Sequence, residues 1–155
     1  MTVIAAAAAL VGVLALATIL GVVLRTRTGR ARPTGGRTGR AGTAQTHPTA
    51  DLAPADAFGT AATLVQFSTP TCARCPATRR QLDAVADTTP GVTRIEIDLA
   101  ERPELARRFD VMQTPTVLLL DGDRAVRTRF GGPPRPTELS AALDTVLTTG
   151  TEESR

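Results

Sequence analysis

Hydrophobic and polar positions divide this 155-residue chain into three stretches. From Val3 to Leu24 the chain is apolar with no polar face, interrupted only by Thr18. Residues 25–50 carry almost no large apolar side chain. From residue 51 onward, short apolar runs alternate with segments of helical spacing. Thr63–Phe67 reads as a buried strand, and Pro76–Asp87 as a helix with Leu82, Val85 and Ala86 on its inner face. Proline is tolerated in a first helical turn, and Pro90-Gly91 ends the segment. Val92–Ile97 alternates as a strand with one wet side, and Pro103–Phe109 is a short helix opening on Pro-Glu. Thr116–Leu120 is a fully apolar strand. Asp121-Gly122 signals a hairpin to a partner strand over Arg124–Phe130. After Gly131-Gly132-Pro133-Pro134, a last helix over Pro136–Leu147 sets Leu139, Leu143, Val146 and Leu147 on one face. Residues 51–60 are ambiguous and suggest at most one helical turn. This order predicts an α/β fold: a central mixed sheet of about four strands with helices on both faces.

The first stretch has the length of a membrane span. Its 22 positions, at about 1.5 Å of rise each, give roughly 33 Å of helix. A cleaved secretory signal is the rival reading. It normally has a basic start and a shorter apolar run, and neither is present. The expected organisation is therefore a transmembrane helix over 1–24, a flexible Arg-rich linker over 25–50 and a globular domain over 51–155. Arg25, Arg27, Arg30, Arg32, Arg37 and Arg40 all follow the span. The positive-inside rule then places the domain on the cytoplasmic face of a single-pass membrane protein, with the extracytoplasmic orientation as the alternative.

Charge changes the picture because it is uneven. The formal net charge of +3 divides into six Arg and no acid over 25–50, and twelve Arg against fifteen acids over 51–155. The globular part is mildly acidic, so no nucleic-acid surface is expected. Without interleaved aromatics, the Arg run fits membrane phosphates better than nucleic acid. His47, the only histidine, lies in the linker and reads as a solvated residue. Two cysteines and one distant histidine fall short of the four ligands of a zinc site, which would need a dimer or a borrowed ligand, so neither metal nor cofactor is expected. Glu96 and Asp98 are read on alternate faces of their strand, hence as no carboxylate pair.

The candidate chemistry sits in Cys72-Ala73-Arg74-Cys75, between the exit of one strand and the entrance of a helix. A thiol is a nucleophile only as the thiolate. A helix N-terminus and a neighbouring cation both favour that form. Arg74 supplies the charge. Cys72 is the candidate attacking thiolate. Cys75, three residues on, is placed to resolve a mixed disulfide formed on the first sulfur.

With Arg94-Ile95-Glu96-Ile97-Asp98 in the next strand, Thr114-Pro115-Thr116 some forty residues after the cysteines, and the Gly-containing turns, residues 61–148 resemble the thioredoxin family. The resemblance implies a thioredoxin-like fold and thiol-disulfide oxidoreductase activity on protein disulfide substrates, with an electron donor the sequence does not identify. It also implies a cis proline at Pro115 beside the sulfurs, and backbone hydrogen bonds from Thr114 to an extended substrate segment. Three features depart from the family. No tryptophan precedes the first cysteine. Gln66 replaces a buried acid six residues before Cys72, and Pro76 follows the second cysteine. Gln66 cannot titrate, which predicts slower release of Cys75 from a mixed disulfide or a proton path through water. A low-turnover binding module on the same fold is the alternative reading.

Overall fold

The computed structural model describes residues 2–27, 31–33, 49 and 51–153. Helix α1 (Thr2–Arg27) precedes a short strand, β1 (Ala31–Pro33). A single 3₁₀ turn at Ala55–Ala57 leads into β2 (Ala62–Ser68), α2 (Cys75–Thr88), β3 (Val92–Asp98) and α3 (Pro103–Arg108). The chain closes with β4 (Thr116–Asp121), β5 (Val126–Gly131) and α4 (Pro136–Glu153). The strands form one sheet in the order β1-β5-β4-β2-β3. β2 pairs parallel with β3 and antiparallel with β4; β5 runs antiparallel to both β4 and β1.

Strand β2 lies inside the sheet, between β4 and β3, and every one of its seven residues is buried. Its two sets of side chains enter different cores. Val65 and Phe67 join Ile95, Ile97, Leu118 and Leu120 beneath Leu105 and Phe109 of the α3 segment, where the Phe67 and Phe109 rings lie 5.5 Å apart. Leu64 joins Val117, Leu119 and Phe130 beneath Leu82 of α2 and Leu139, Leu143 and Val146 of α4. Strand β3, at the edge, buries Ile95 and Ile97 and leaves Arg94 and Glu96 half-exposed, so its sequence alternates where that of β2 does not. The four strands β2–β5 and the helices on both faces are those the pattern predicts.

The structure corrects the sequence reading in three places. First, among the described residues no helix is long and apolar enough to cross a membrane. The anchor over 3–24, and with it a single-pass membrane protein facing the cytoplasm or the exterior, is not borne out. Second, the stretch read as a flexible Arg-rich linker contains β1, whose Ala31, Arg32 and Pro33 pair with Phe130, Arg129 and Thr128. The Ala31 amide also donates to Glu138 Oε2 of α4 at 2.6 Å. Residues 25–27 of that stretch close α1 and Thr49 is also described, whereas His47 lies outside the described residues. Third, the hairpin loop runs over residues 122–125 rather than 121–123. Asp121 Oδ1 accepts the Ala125 amide at 2.8 Å, and Arg124 takes a φ of 65°.

Gly91 turns the chain from α2 into β3 with a φ of 75°. A Cβ there would lie 2.9 Å from both Ala61 Cβ and Thr60 Oγ1. Gly91→Ala is expected to cost about 1–3 kcal/mol through strain and overpacking. Urea unfolding of the full chain would show a lower midpoint at unchanged slope.

Candidate functional site

The buried β2 delivers the chain through Ser68-Thr69-Pro70-Thr71 to the start of α2, and there Cys72 and Cys75 are joined in a disulfide. The Cys72 amide donates to Thr69 O at 3.1 Å, and the Cys75 amide to Cys72 O at 3.2 Å, closing two successive turns around the bond. Cys72 is half-exposed, whereas Cys75 is 3% exposed. An incoming nucleophile or disulfide therefore meets Cys72 first. Arg74 is the N-cap of α2 and makes no side-chain capping bond; its exposed guanidinium adds charge to the positive end of the helix. Its carbonyl accepts both the amide and the hydroxyl of Thr78, each at 3.1 Å. Pro76 lies in the first helical turn, where a missing N–H leaves no helical bond unmade.

The second loop at the site comes from the start of β4. The Thr114–Pro115 peptide is cis, and Pro115 is buried. Thr114 Oγ1 lies 3.3 Å from Thr69 Oγ1, which ties this loop to the one carrying the cysteines. The Pro115 carbonyl accepts the Gly132 amide at 2.9 Å, linking the loop to the end of β5. Cys72, Cys75, Thr114, Pro115 and Arg74 thus occupy adjoining loops at one end of the sheet.

Gln66 lies beneath them, 0% exposed. Its Nε2 donates to the Cys75 carbonyl at 3.1 Å. Its Oε1 is the one buried side-chain polar atom without a hydrogen-bond partner among the described residues. An unpaired buried acceptor of this kind costs about 1–3 kcal/mol.

A wall of charge beside the sulfurs was missed in the sequence. Cys72 and Cys75 line a cleft of about 400 Å³ together with Arg79, Glu96, Asp98 and Glu101. Glu96 and Asp98 are two residues apart on a strand and so share a face, against the reading that separated them. Arg79 bonds Glu96 Oε1 at 2.8 Å, and Arg94 Nη1 lies 3.2 Å from Glu96 Oε2 while also pairing with Asp83. Partial burial tends to raise the Glu96 carboxyl. Hydrogen bonds from Arg79 and Ser68, together with the charges of Arg79 and Arg94, outweigh it and hold the group below the usual carboxylate range. The period-2 alternation of β3 was the available signal for this wall, had it been followed through to Asp98.

A surface-accessible sulfur bonded to a buried one, at a helix N-terminus and next to a cis-proline loop on a mixed sheet, defines a protein built for dithiol-disulfide exchange. A family model described as "Thioredoxin" matches residues 56–145. A thioredoxin of Methanocaldococcus jannaschii is 32% identical over 78 residues, covering 50% of this chain and 86% of that protein. Among solved structures, a mutant thioredoxin from Halobacterium salinarum superposes with a TM-score of 0.51 at 19% identity, covering 57% of this chain and 76% of that one. Thioredoxin f from spinach chloroplast gives 0.50 at 20% identity, covering 57% and 78%. These two distant likenesses show the fold. The family match and the archaeal relative show more: the chain belongs to the thioredoxin family, and its activity is thiol-disulfide oxidoreduction.

Because the folded Glu96 carboxyl is more acidic than its unfolded counterpart, its contribution to stability is complete above the ordinary carboxylate pKa. That contribution is lost as pH falls through the lower, folded value. Glu96→Gln should therefore lower the urea midpoint at pH 7. Midpoints measured at descending pH should converge with those of the unsubstituted protein at the acid end.

Proposed function

We infer that the chain exchanges disulfides in protein substrates through Cys72 and Cys75, with Cys72 as the attacking thiolate and Cys75 as the resolving thiol. The observation that carries this assignment is the difference in access, half-exposed Cys72 against Cys75 at 3%. In the reductive direction, Cys72 thiolate attacks a substrate disulfide and one substrate sulfur leaves as a thiol. Cys75 then attacks Cys72, the second substrate sulfur leaves, and the Cys72–Cys75 disulfide remains. An electron donor must re-reduce that bond between turnovers. Thr114 and Pro115 form the shelf for an extended substrate segment. This role is supported by their place beside the cysteine loop, tied through Thr69. Arg74 supports the thiolate, and Gln66 supports the resolving cysteine. The working unit is read as residues 51–155, which includes the family match over 56–145.

A second reading is favoured by one observation: the buried residue beneath Cys75 is an amide that cannot exchange a proton. On that reading the domain holds partners at the Thr114–Pro115 shelf with little turnover.

Dithiothreitol-driven reduction of a disulfide-bonded peptide by the full chain separates the two. Cys72→Ser should abolish turnover, a loss of at least a thousandfold. Cys75→Ser should accumulate mixed disulfides visible on nonreducing electrophoresis. A Cys75→Ser chain that traps nothing overturns the assignment of roles. Unchanged partner binding with both cysteines replaced by serine, at negligible turnover, establishes the binding module instead.

A further inference from the structure

We propose that Gln66 is a redox-sensing positioning residue: its Oε1 accepts the S–H of Cys75 in the reduced protein and loses that donor when the disulfide closes. This rests on the dithiol reading above and names the device that sets its equilibrium.

The orientation of the Gln66 amide is fixed by its neighbour. The Cys75 carbonyl can only accept, so the nitrogen of the amide must face it, as the 3.1 Å contact shows. The oxygen, on the same carbon, is buried with no hydrogen-bond partner among the described residues. Gln66 is fully buried and sits on β2, every residue of which is buried, so the amide cannot swing out to find water. Buried acceptors are nearly always paired, and an orphan in a packed core calls for a partner present in another state of the molecule. The oxidised Cys75 sulfur carries no hydrogen. The reduced one does, and a thiol is a donor of modest strength.

The consequence follows from the resolving step. A mixed disulfide on Cys72 and the Cys75 thiol become the Cys72–Cys75 disulfide and a free substrate thiol. The Cys75 sulfur bonds to the Cys72 sulfur, the bond to the substrate sulfur breaks, and the Cys75 proton ends on the departing thiolate. The Gln66 amide takes no proton at any point. It gives up one hydrogen bond when the ring closes and regains it on reduction. Its effect is therefore to favour the dithiol over the disulfide, making the pair a stronger oxidant than the same fold with an apolar residue at 66. An ionisable acid would add a proton-dependent contribution; an amide gives one independent of pH.

The test is the reduction potential of the full chain in glutathione buffers, for the unsubstituted protein and for Gln66→Leu. Leucine removes the orphan from the oxidised form and the acceptor from the reduced form. The dithiol-disulfide equilibrium should shift about tenfold toward the disulfide, which is about 30 mV more negative for a two-electron couple. The shift should be the same across the neutral pH range. A purely structural Gln66 would instead destabilise oxidised and reduced protein equally and leave the potential within twofold in equilibrium constant, which overturns the proposal. A second measurement requires no change at 66. In the Cys72→Ser chain Cys75 is the sole thiol, and its infrared S–H stretching band should lie at lower frequency in the folded protein than in the same chain unfolded in urea. Coincident bands overturn the proposal. If the unsubstituted protein forms no Cys72–Cys75 disulfide at any poise, the dithiol reading fails, and the band still decides the contact.

Discussion

Complete enclosure of one strand is the constraint on which the rest of the structure depends. β2 is flanked by β3 and β4 and covered on both faces, so all seven of its residues must be accommodated in the interior. Its apolar side chains divide between two cores, one under α3 and one under α2 and α4. The chain leaving this strand has little freedom in where it emerges. The cysteine loop therefore begins from a rigid platform, and the half-exposed Cys72 and buried Cys75 inherit their difference in access from it. Enclosure also makes Gln66 consequential. The same amide on the wet face of an edge strand would exchange with water and influence nothing.

Much of this was legible in the chain. The continuous apolar run of Thr116–Leu120 and the alternation of Val92–Ile97 distinguish a strand covered on both faces from an edge strand with one wet side. Pro90-Gly91 and Gly131-Gly132 mark breaks that the backbone needs, since Gly91 and Gly132 adopt φ values of 75° and 105°. The cysteine motif and Thr114-Pro115 were paired as neighbours through the resemblance to the thioredoxin family, and the Thr69–Thr114 contact ties the two loops together.

The misses have physical causes. Ala31–Pro33 has neither apolar periodicity nor strand propensity. It is a strand because β5 offers it unpaired backbone groups and α4 offers Glu138, and neither is visible in a local window. The hairpin after β4 is lengthened because Asp121 is engaged with the Ala125 amide and with Arg127, tying together a wider loop than Asp-Gly alone predicts. The anchor reading relied on the length of an apolar run. Among the described residues no helix is both long enough and apolar enough to span. The carboxylates beside the disulfide were lost to a miscount of faces rather than to any ambiguity in the sequence.

Strand β1 has a consequence beyond its three residues. An outer strand of a sheet exposes a ladder of amide and carbonyl groups on which any extended peptide can add. Here β5 spends that ladder on its own chain, and the strand that takes it ends in Pro33, whose nitrogen has no hydrogen to offer. On that side the sheet is closed to further growth. Extended polypeptides, which an exchanger of protein disulfides must handle, find the β5 edge already occupied by the chain itself.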